Sequence, residues 1–272
     1  MAQNNAAAKP AAQASGSSNL FSILVVPIAI AIAVIIYLFI MGNPANFEGG
    51  DTNNHPINIL GIVYKGGIIV PILLTSLLTV ITFIIERFLT IGRAKGAGNM
   101  DTFVKKIKFL LETGDVNTAI SECDKQKGSL GNVVKEGLLR YKAMENEPSL
   151  DKDTKVQNIQ KTLEEAVGLE LPMLEKNLVF LSTIASVATL LGLFGTVLGM
   201  IKAFQALATA GSPDAAALAT GISEALINTA LGIGTSAIAI IMYNYFTTQI
   251  DGMTYRIDES NYTISQTFAA KH

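Results

Sequence analysis

The chain has 272 residues, of which 50% are hydrophobic and only 15% are charged, with a net charge of −2 at pH 7. Soluble domains carry about 25% charged residues, so this composition predicts a membrane protein with a smaller soluble part. A single cysteine excludes an intrachain disulfide, two histidines argue against a zinc or haem site, and no basic or aromatic pattern suggests nucleic-acid binding.

The N-terminal part of the chain contains a first candidate membrane span. Residues 1–19 are mostly Ala, Gln, Asn and Ser and are predicted to be a disordered tail. Residues 20–41 carry no charge and are long enough to cross a hydrocarbon core of about 30 Å. A cleaved signal peptide is the alternative, although its apolar part usually has only about 7–15 residues and follows a basic cluster. A polar loop is predicted over 42–65.

A second span is predicted over 66–88. Its uncharged run ends at Ile85 and is followed by Glu86 and Arg87. These two residues are expected to act structurally, as an anchor at the membrane interface or as an ion pair between subunits.

Residues 89–176 are predicted to form a helical soluble domain. The stretch from Arg87 to Lys176 holds 15 of the 20 Lys and Arg residues, with acidic residues between them. Helices are expected to begin at Asp101, at Asp115 and near Asp153, and to cover 130–143, with a kink at Pro172. The Lys and Arg bias near the spans places this domain in the cytoplasm. Its alternating charges favour a solvated extension of the spans over a docking domain.

Two further spans complete the predicted topology. They cover 177–201 and 221–247, and a linker at 202–220 joins them on the same outer side as the 42–65 loop. A cytoplasmic helix is predicted over 248–272. The fold class is therefore an all-α membrane protein.

Small and polar residues follow one flank of each of the last two spans when the helices are projected at 100° per residue. In the third span they are Ser182, Ser186, Thr189, Gly192, Gly195, Thr196 and Gly199, and in the fourth they are Glu224, Asn228, Thr229, Gly232 and Thr235. Close helix packing explains the glycines, because residues without a side chain let backbones approach.

Packing does not explain Glu224. A carboxylate inside a membrane costs about 2.5 kcal/mol or more unless it is neutral, paired or hydrated. Neither span contains a cation that could pair with it. We therefore expect Glu224 to meet water, a cation from another chain, or a proton.

The paired motifs ASVATLLGLFGTVLGMI (185–201) and GISEALINTALG (221–232), followed by Tyr243 and Asn244, resemble the MotA/TolQ/ExbB proton-channel family. The ExbB branch is the most similar. The resemblance extends from the second span to about Asn244. It implies three family spans, here with one extra N-terminal span, in a subunit that assembles as a ring.

What the resemblance implies is a motor of the bacterial inner membrane rather than an enzyme. Five subunits would surround two ExbD-like single-span partners, and an aspartate of the partner would take up protons and drive a TonB-like protein. Glu224, Thr196 and Thr229 match family positions that line the central passage. The secondary candidates for facing the passage are Asn228, Thr235, Ser182, Ser186 and Thr189. Protons are the driving ion, and no cofactor is expected.

Within the spans, the chain departs from the family pattern at two positions. Many members have prolines where this chain has Thr189 and Ile238. The alternatives are a TolQ-like motor for envelope integrity, a gliding-type motor, or a membrane scaffold without an ion pathway.

Overall fold

The computed structural model describes residues 15–208 and 215–271, with side chains from Ile23 onward. All regular secondary structure in this described part is helical. The α-helices are α1 (Ser15–Ile35), α2 (Ile59–Tyr64), α3 (Ile69–Ala94), α4 (Met100–Thr113), α5 (Val116–Gln126), α6 (Gly128–Glu145), α7 (Lys152–Glu175), α8 (Leu178–Ala208) and α9 (Ala215–Lys271). The predicted tail lies mostly outside the described residues, but helix α1 already begins at Ser15, so residues 15–19 are helical rather than disordered.

Four helical stretches are long and apolar enough to cross a bilayer. They lie in Ile23–Met41, Ile69–Ala94, Lys152–Ala208 and Ala215–Lys271. Their outward side chains include many exposed Ile, Leu, Val and Phe residues, as expected for helices surrounded by lipid. The chain is a multi-pass membrane protein.

Two compact units divide the chain. The first combines the described residues up to Thr79 with Ala188–Thr235, and the second combines Val80–Val187 with the described residues from Ser236. Helices α3, α8 and α9 each contribute to both units.

In the first unit, the N-terminal helix packs against the start of α3. Helix α1 continues as a π-helical turn over Ile36–Met41, and Ala33 and Met41 share a buried cluster with Val70 and Leu74 of α3. Within this unit α1 is therefore a packed element.

The segment between α1 and α3 is folded, although its composition predicted only a polar loop. The Asn46 amide donates to the carbonyl oxygens of Ile40 and Met41 at 2.7 and 2.8 Å, which satisfies backbone groups at the end of the π-helical turn. Phe47 is 1% exposed, and the rings of Tyr37 and Tyr64 stack with their centroids 4.7 Å apart. Apolar side chains spaced among polar residues give this segment a core.

The core of the second unit lies between α4, α5, α6, α7 and the last part of α9. Tyr141 of α6 meets the ring of Phe268 of α9 edge-on at 4.8 Å, and both residues are buried. The helix predicted over 248–272 is thus the continuous end of α9 rather than a separate element.

Local capping explains where the soluble helices begin and end. The Asp115 carboxylate accepts from Thr118 N at 3.0 Å and starts α5, as predicted. Helix α4, however, begins one residue earlier than predicted, because Asn99 caps it by accepting from Asp101 N at 2.8 Å. Pro172 lies inside α7, which ends three residues later at Glu175. Asn177 then takes a left-handed backbone conformation with φ = 68°.

Candidate functional site

Helices α8 and α9 approach each other closely in the first unit, and glycines make this approach possible. A Cβ atom on Gly192 would lie 2.9 Å from the Asn228 carbonyl oxygen, and one on Gly199 would lie 2.7 Å from Ala225 N. A Cβ on Gly232 would lie 2.6 Å from the Ala188 carbonyl oxygen. Real Cβ atoms do not come this close to backbone atoms. Any larger residue at these positions would separate the helices.

Glu224 lies buried in this helix pair and forms an ion pair with Lys202. Glu224 is 4% exposed as a residue, and the Lys202 ammonium donates to Oε1 at 2.7 Å and to Oε2 at 2.8 Å. The sequence-based statement that neither span offers Glu224 a cation is therefore wrong. It took the end of the uncharged run at Ile201 as the end of the helix, whereas α8 continues to Ala208.

Much of the predicted linker at 202–220 is helical. Helix α8 extends to Ala208 and α9 begins at Ala215, and residues 209–214 of the linker lie outside the described residues. Lys202 is consequently a helical residue whose side chain can reach α9.

A glycine turn closes the site from a third side. Gly67, with φ = 75°, lies between α2 and α3, and a Cβ atom there would contact Glu224 Oε1 and come within 2.9 Å of Glu224 Cδ. The Asn228 amide donates to the Gly66 carbonyl oxygen at 2.9 Å. The second span predicted over 66–88 included Gly66 and Gly67. The glycine pair, which is typical of a turn, is the sequence feature that indicates the turn.

Hydroxyl and amide groups continue from Glu224 along the contact between α8 and α9. The Thr196 and Thr229 hydroxyls form a hydrogen bond across the two helices, and Thr196 also bonds to the Gly192 carbonyl oxygen at 3.2 Å. Asn228 and Thr235 are buried. The Asn228 Oδ1 atom is buried with no hydrogen-bond partner within the described part of the chain. The structure thus brings the three principal candidates, Glu224, Thr196 and Thr229, into one helix pair.

A Cβ atom on Gly195 would lie 2.5 Å from Asn228 Cβ, so this glycine makes room for the buried amide. Of the secondary candidates in α8, Ser182 donates to the Val179 carbonyl oxygen at 3.1 Å, and Ser186 and Thr189 are exposed.

The Glu86–Arg87 pair lies in the second unit and forms within one chain. Arg87 Nε donates to Glu86 Oε2 at 2.6 Å, and Arg87 Nη1 donates to the Leu174 carbonyl oxygen at 3.0 Å. Thr90 Oγ1 adds a bond to Glu86 Oε1 at 2.9 Å. The pair therefore ties α3 to the end of α7 and needs no second subunit to close it.

The chemistry available at the Glu224 site is charge and proton handling. Within residues 15–208 and 215–271, no group of three or more His, Cys, Asp or Glu side chains could hold a metal ion. The site instead combines a buried acid, a lysine and hydroxyl groups in apolar helices.

Comparisons with known proteins identify the relatives of this chain. A model of the MotA/TolQ/ExbB proton channel family matches residues 126–259, which include the whole α8–α9 contact. The Tol-Pal system protein TolQ of Pseudomonas aeruginosa is 33% identical over 138 residues, 51% of this chain and 58% of that protein. TolQ of Haemophilus influenzae is 40% identical over 88 residues, 32% of this chain and 39% of that protein. The biopolymer transport protein ExbB of Pseudomonas putida is 38% identical over 81 residues, 30% of this chain and 25% of that protein.

The chain therefore matches less than two thirds of the length of each of these relatives, and proteins named TolQ and ExbB are both among them. The family match covers the whole of α8 and most of α9. The four apolar helices fit a family of membrane proteins. This chain belongs to the MotA/TolQ/ExbB proton channel family.

Proposed function

We propose that this chain is the ring-forming subunit of a proton-driven motor in the bacterial inner membrane. Five copies surround the spans of two ExbD-like partners, and the motor passes movement to a TonB-like protein that energises transport across the outer membrane. Residues 89–176 lie in the cytoplasm in this arrangement. The chain acts as a motor subunit rather than as an enzyme, and protons are its driving ion.

The observation that carries this proposal is the burial of Glu224 in an apolar helix pair. A buried intramembrane acid is costly and is typical of ion and proton pathways. Thr196 and Thr229 extend the polar path along the same helices, and their hydroxyl groups can both donate and accept hydrogen bonds. A scaffold without an ion pathway needs the glycines of this contact but not its acid.

The energy available to such a motor is sufficient for mechanical work. The membrane potential supplies about 2.3 kcal/mol for each charge per 100 mV. A few protons per step thus match the free energy of several hydrogen bonds, each of which contributes about 1 kcal/mol.

The variant Glu224→Gln tests the proposal, because it keeps the shape of the side chain and removes its charge. We expect energy-dependent uptake to fall at least tenfold, the effect of about 1.4 kcal/mol on a rate, while the protein still assembles in the membrane. Glu164→Gln is the matched control, since Glu164 is exposed on α7. Wild-type uptake in Glu224→Gln would rule out the assignment.

A TolQ-like role in envelope integrity is the second candidate, and a specific observation favours it. The match to TolQ of Pseudomonas aeruginosa covers 138 residues, whereas the match to ExbB of Pseudomonas putida covers 81. Deleting the gene separates the two roles. Loss of growth on iron–siderophore complexes supports the ExbB-like role, and sensitivity to detergent supports the TolQ-like role.

A further inference from the structure

The short helix α2, which precedes α3, turns a row of large apolar side chains outward. Ile57, Ile59 and Ile68 are 63%, 73% and 73% exposed, and Leu60 and Ile62 between them are exposed as well. Residues 57–64 contain no charged side chain. A contiguous apolar patch on a protein surface is typical of a site that contacts a membrane or another molecule.

The direction of these side chains is fixed, because the other side of α2 is packed against the chain. Ile57 N donates to the Asn46 carbonyl oxygen at 2.8 Å, and Gly61 N donates to Asn58 Oδ1 at 3.0 Å. The Asn58 amide donates in turn to Asn46 Oδ1 at 2.9 Å. A Cβ atom on Gly61 would lie 2.6 Å from the Asn46 carbonyl oxygen. Backbone groups that are bonded in this way within the protein can leave water without loss.

The polar groups of the same segment gather in a different part of it. Asp51 Oδ1 accepts from Asn53 N at 2.9 Å, and the Lys65 ammonium donates to the Asn53 carbonyl oxygen at 3.1 Å. The segment therefore has a polar part over 48–54 and an apolar part over 57–62. This division is typical of elements that lie at the boundary between membrane and water.

We propose that α2 lies at the membrane–water interface at the start of α3, with Ile59, Leu60 and Ile62 in contact with the acyl chains of the lipid. Continuity with the surface of the spans favours lipid over a protein as the occupant. Exposed apolar side chains flank α2 on both neighbouring elements, at Phe39 in the π-helical turn and at Ile72 in α3, and both elements belong to candidate membrane spans.

The position of α3 in the membrane gives α2 the depth that this contact requires. Residues 66–85 carry no charge, and at a rise of about 1.5 Å per residue they match a hydrocarbon core of about 30 Å. The edge of the core therefore falls at the Gly66–Gly67 turn, next to α2. Interfacial helices bury their apolar side about 5–10 Å into this boundary. Lipid contact at α2 thus anchors the turn that lies against Glu224.

Fluorescence quenching by brominated phospholipids tests the proposal. Ile59→Cys and Ile62→Cys are introduced separately into the full-length protein, together with Cys123→Ala, which removes the natural thiol. Each protein is labelled with a small fluorophore and placed in nanodiscs whose lipids carry bromine on the acyl chains near the headgroup. We expect both labels to lose most of the fluorescence that they show in nanodiscs of unbrominated lipid. Asp51→Cys is the matched control and should keep its fluorescence, because Asp51 is exposed in the polar part of the same segment.

A water-soluble maleimide provides a second measurement, since both faces of a nanodisc are open to it. The unlabelled thiols of Ile59→Cys and Ile62→Cys should react about tenfold more slowly than that of Asp51→Cys, a ratio that the burial of one neighbouring isoleucine can supply. Unquenched fluorescence with rapid reaction would place α2 in water, and unquenched fluorescence with slow reaction would mean that a protein surface covers it. Either result would overturn the proposal, as would quenching at Asp51→Cys. Neither measurement involves transport, so the outcome is independent of the effect of Glu224→Gln on uptake.

Discussion

The guanidinium of Arg87 donates to the carbonyl oxygen of Leu174, which lies 87 residues further along the chain, at 3.0 Å. Its other nitrogens hold the neighbouring Glu86 carboxylate at 2.5 and 2.6 Å. Arg87 is 2% exposed, so this contact is an interior one. It fixes the end of α7, just before the chain turns at Asn177 into α8.

Replacing Arg87 by Met should destabilise the protein by about 1–3 kcal/mol, because it removes the donor to the Leu174 carbonyl oxygen and the cation beside the half-buried Glu86 carboxylate. The measurement is thermal unfolding in detergent. Arg93→Met provides the control on the same helix, since Arg93 is exposed. A melting temperature that falls equally in both variants would show that the contacts of Arg87 with Glu86 and Leu174 contribute nothing specific.

Gly67→Ala should disturb the Glu224 site. The methyl group would contact the carboxylate, and a residue other than glycine at φ = 75° adds strain of about 1–3 kcal/mol. We expect reduced stability in detergent together with reduced energy-dependent uptake.

Gly92→Ala is the matched control for this change, because a Cβ atom at Gly92 meets nothing within 4 Å. Gly92 lies in α3, and alanine forms helix more readily than glycine. Equal stability and equal uptake in the two variants would contradict a role of the Gly67 turn at the Glu224 site.

Alkaline pH should destabilise the soluble helices through Cys123. Burial raises the pKa of this thiol to about 12, and the neighbouring Asp124 adds to the effect. The unfolded thiol has a pKa of about 8.5, so the folded protein binds more protons above that value and its stability falls as the pH rises toward 12. Burial also raises the pKa of Tyr141, to about 12, which acts in the same direction.

Two measurements check this prediction. The slope of unfolding free energy against pH should flatten between pH 8.5 and 12 in Cys123→Ala, within the range set by the unfolded and folded pKa values. The native thiol should also react slowly with a thiol reagent at pH 8 and rapidly after unfolding. Rapid modification of the native protein would contradict the burial of Cys123.

Much of this protein could be predicted from local patterns. Uncharged runs of about 20 residues predict spans because a bilayer core requires that length of helix. The glycine spacing in α8 predicts a close helix contact, which Gly192 and Gly199 make. Glu224 could be identified as a candidate from the sequence alone. The free-energy cost of a carboxylate in lipid is high whatever the positions of the neighbouring helices.

The partners of these residues depended on tertiary structure. Lys202 lies 22 positions before Glu224, and only the continuation of α8 past the apolar run, with α9 antiparallel beside it, brings the ammonium to the carboxylate. The Gly66–Gly67 turn comes from more than 150 residues away, and Arg87 reaches Leu174 across 87 residues. The composition and periodicity of the sequence predict which face of a helix is polar. Which groups meet on that face is decided by packing, because hydrogen bonds and ion pairs form only over a few ångströms.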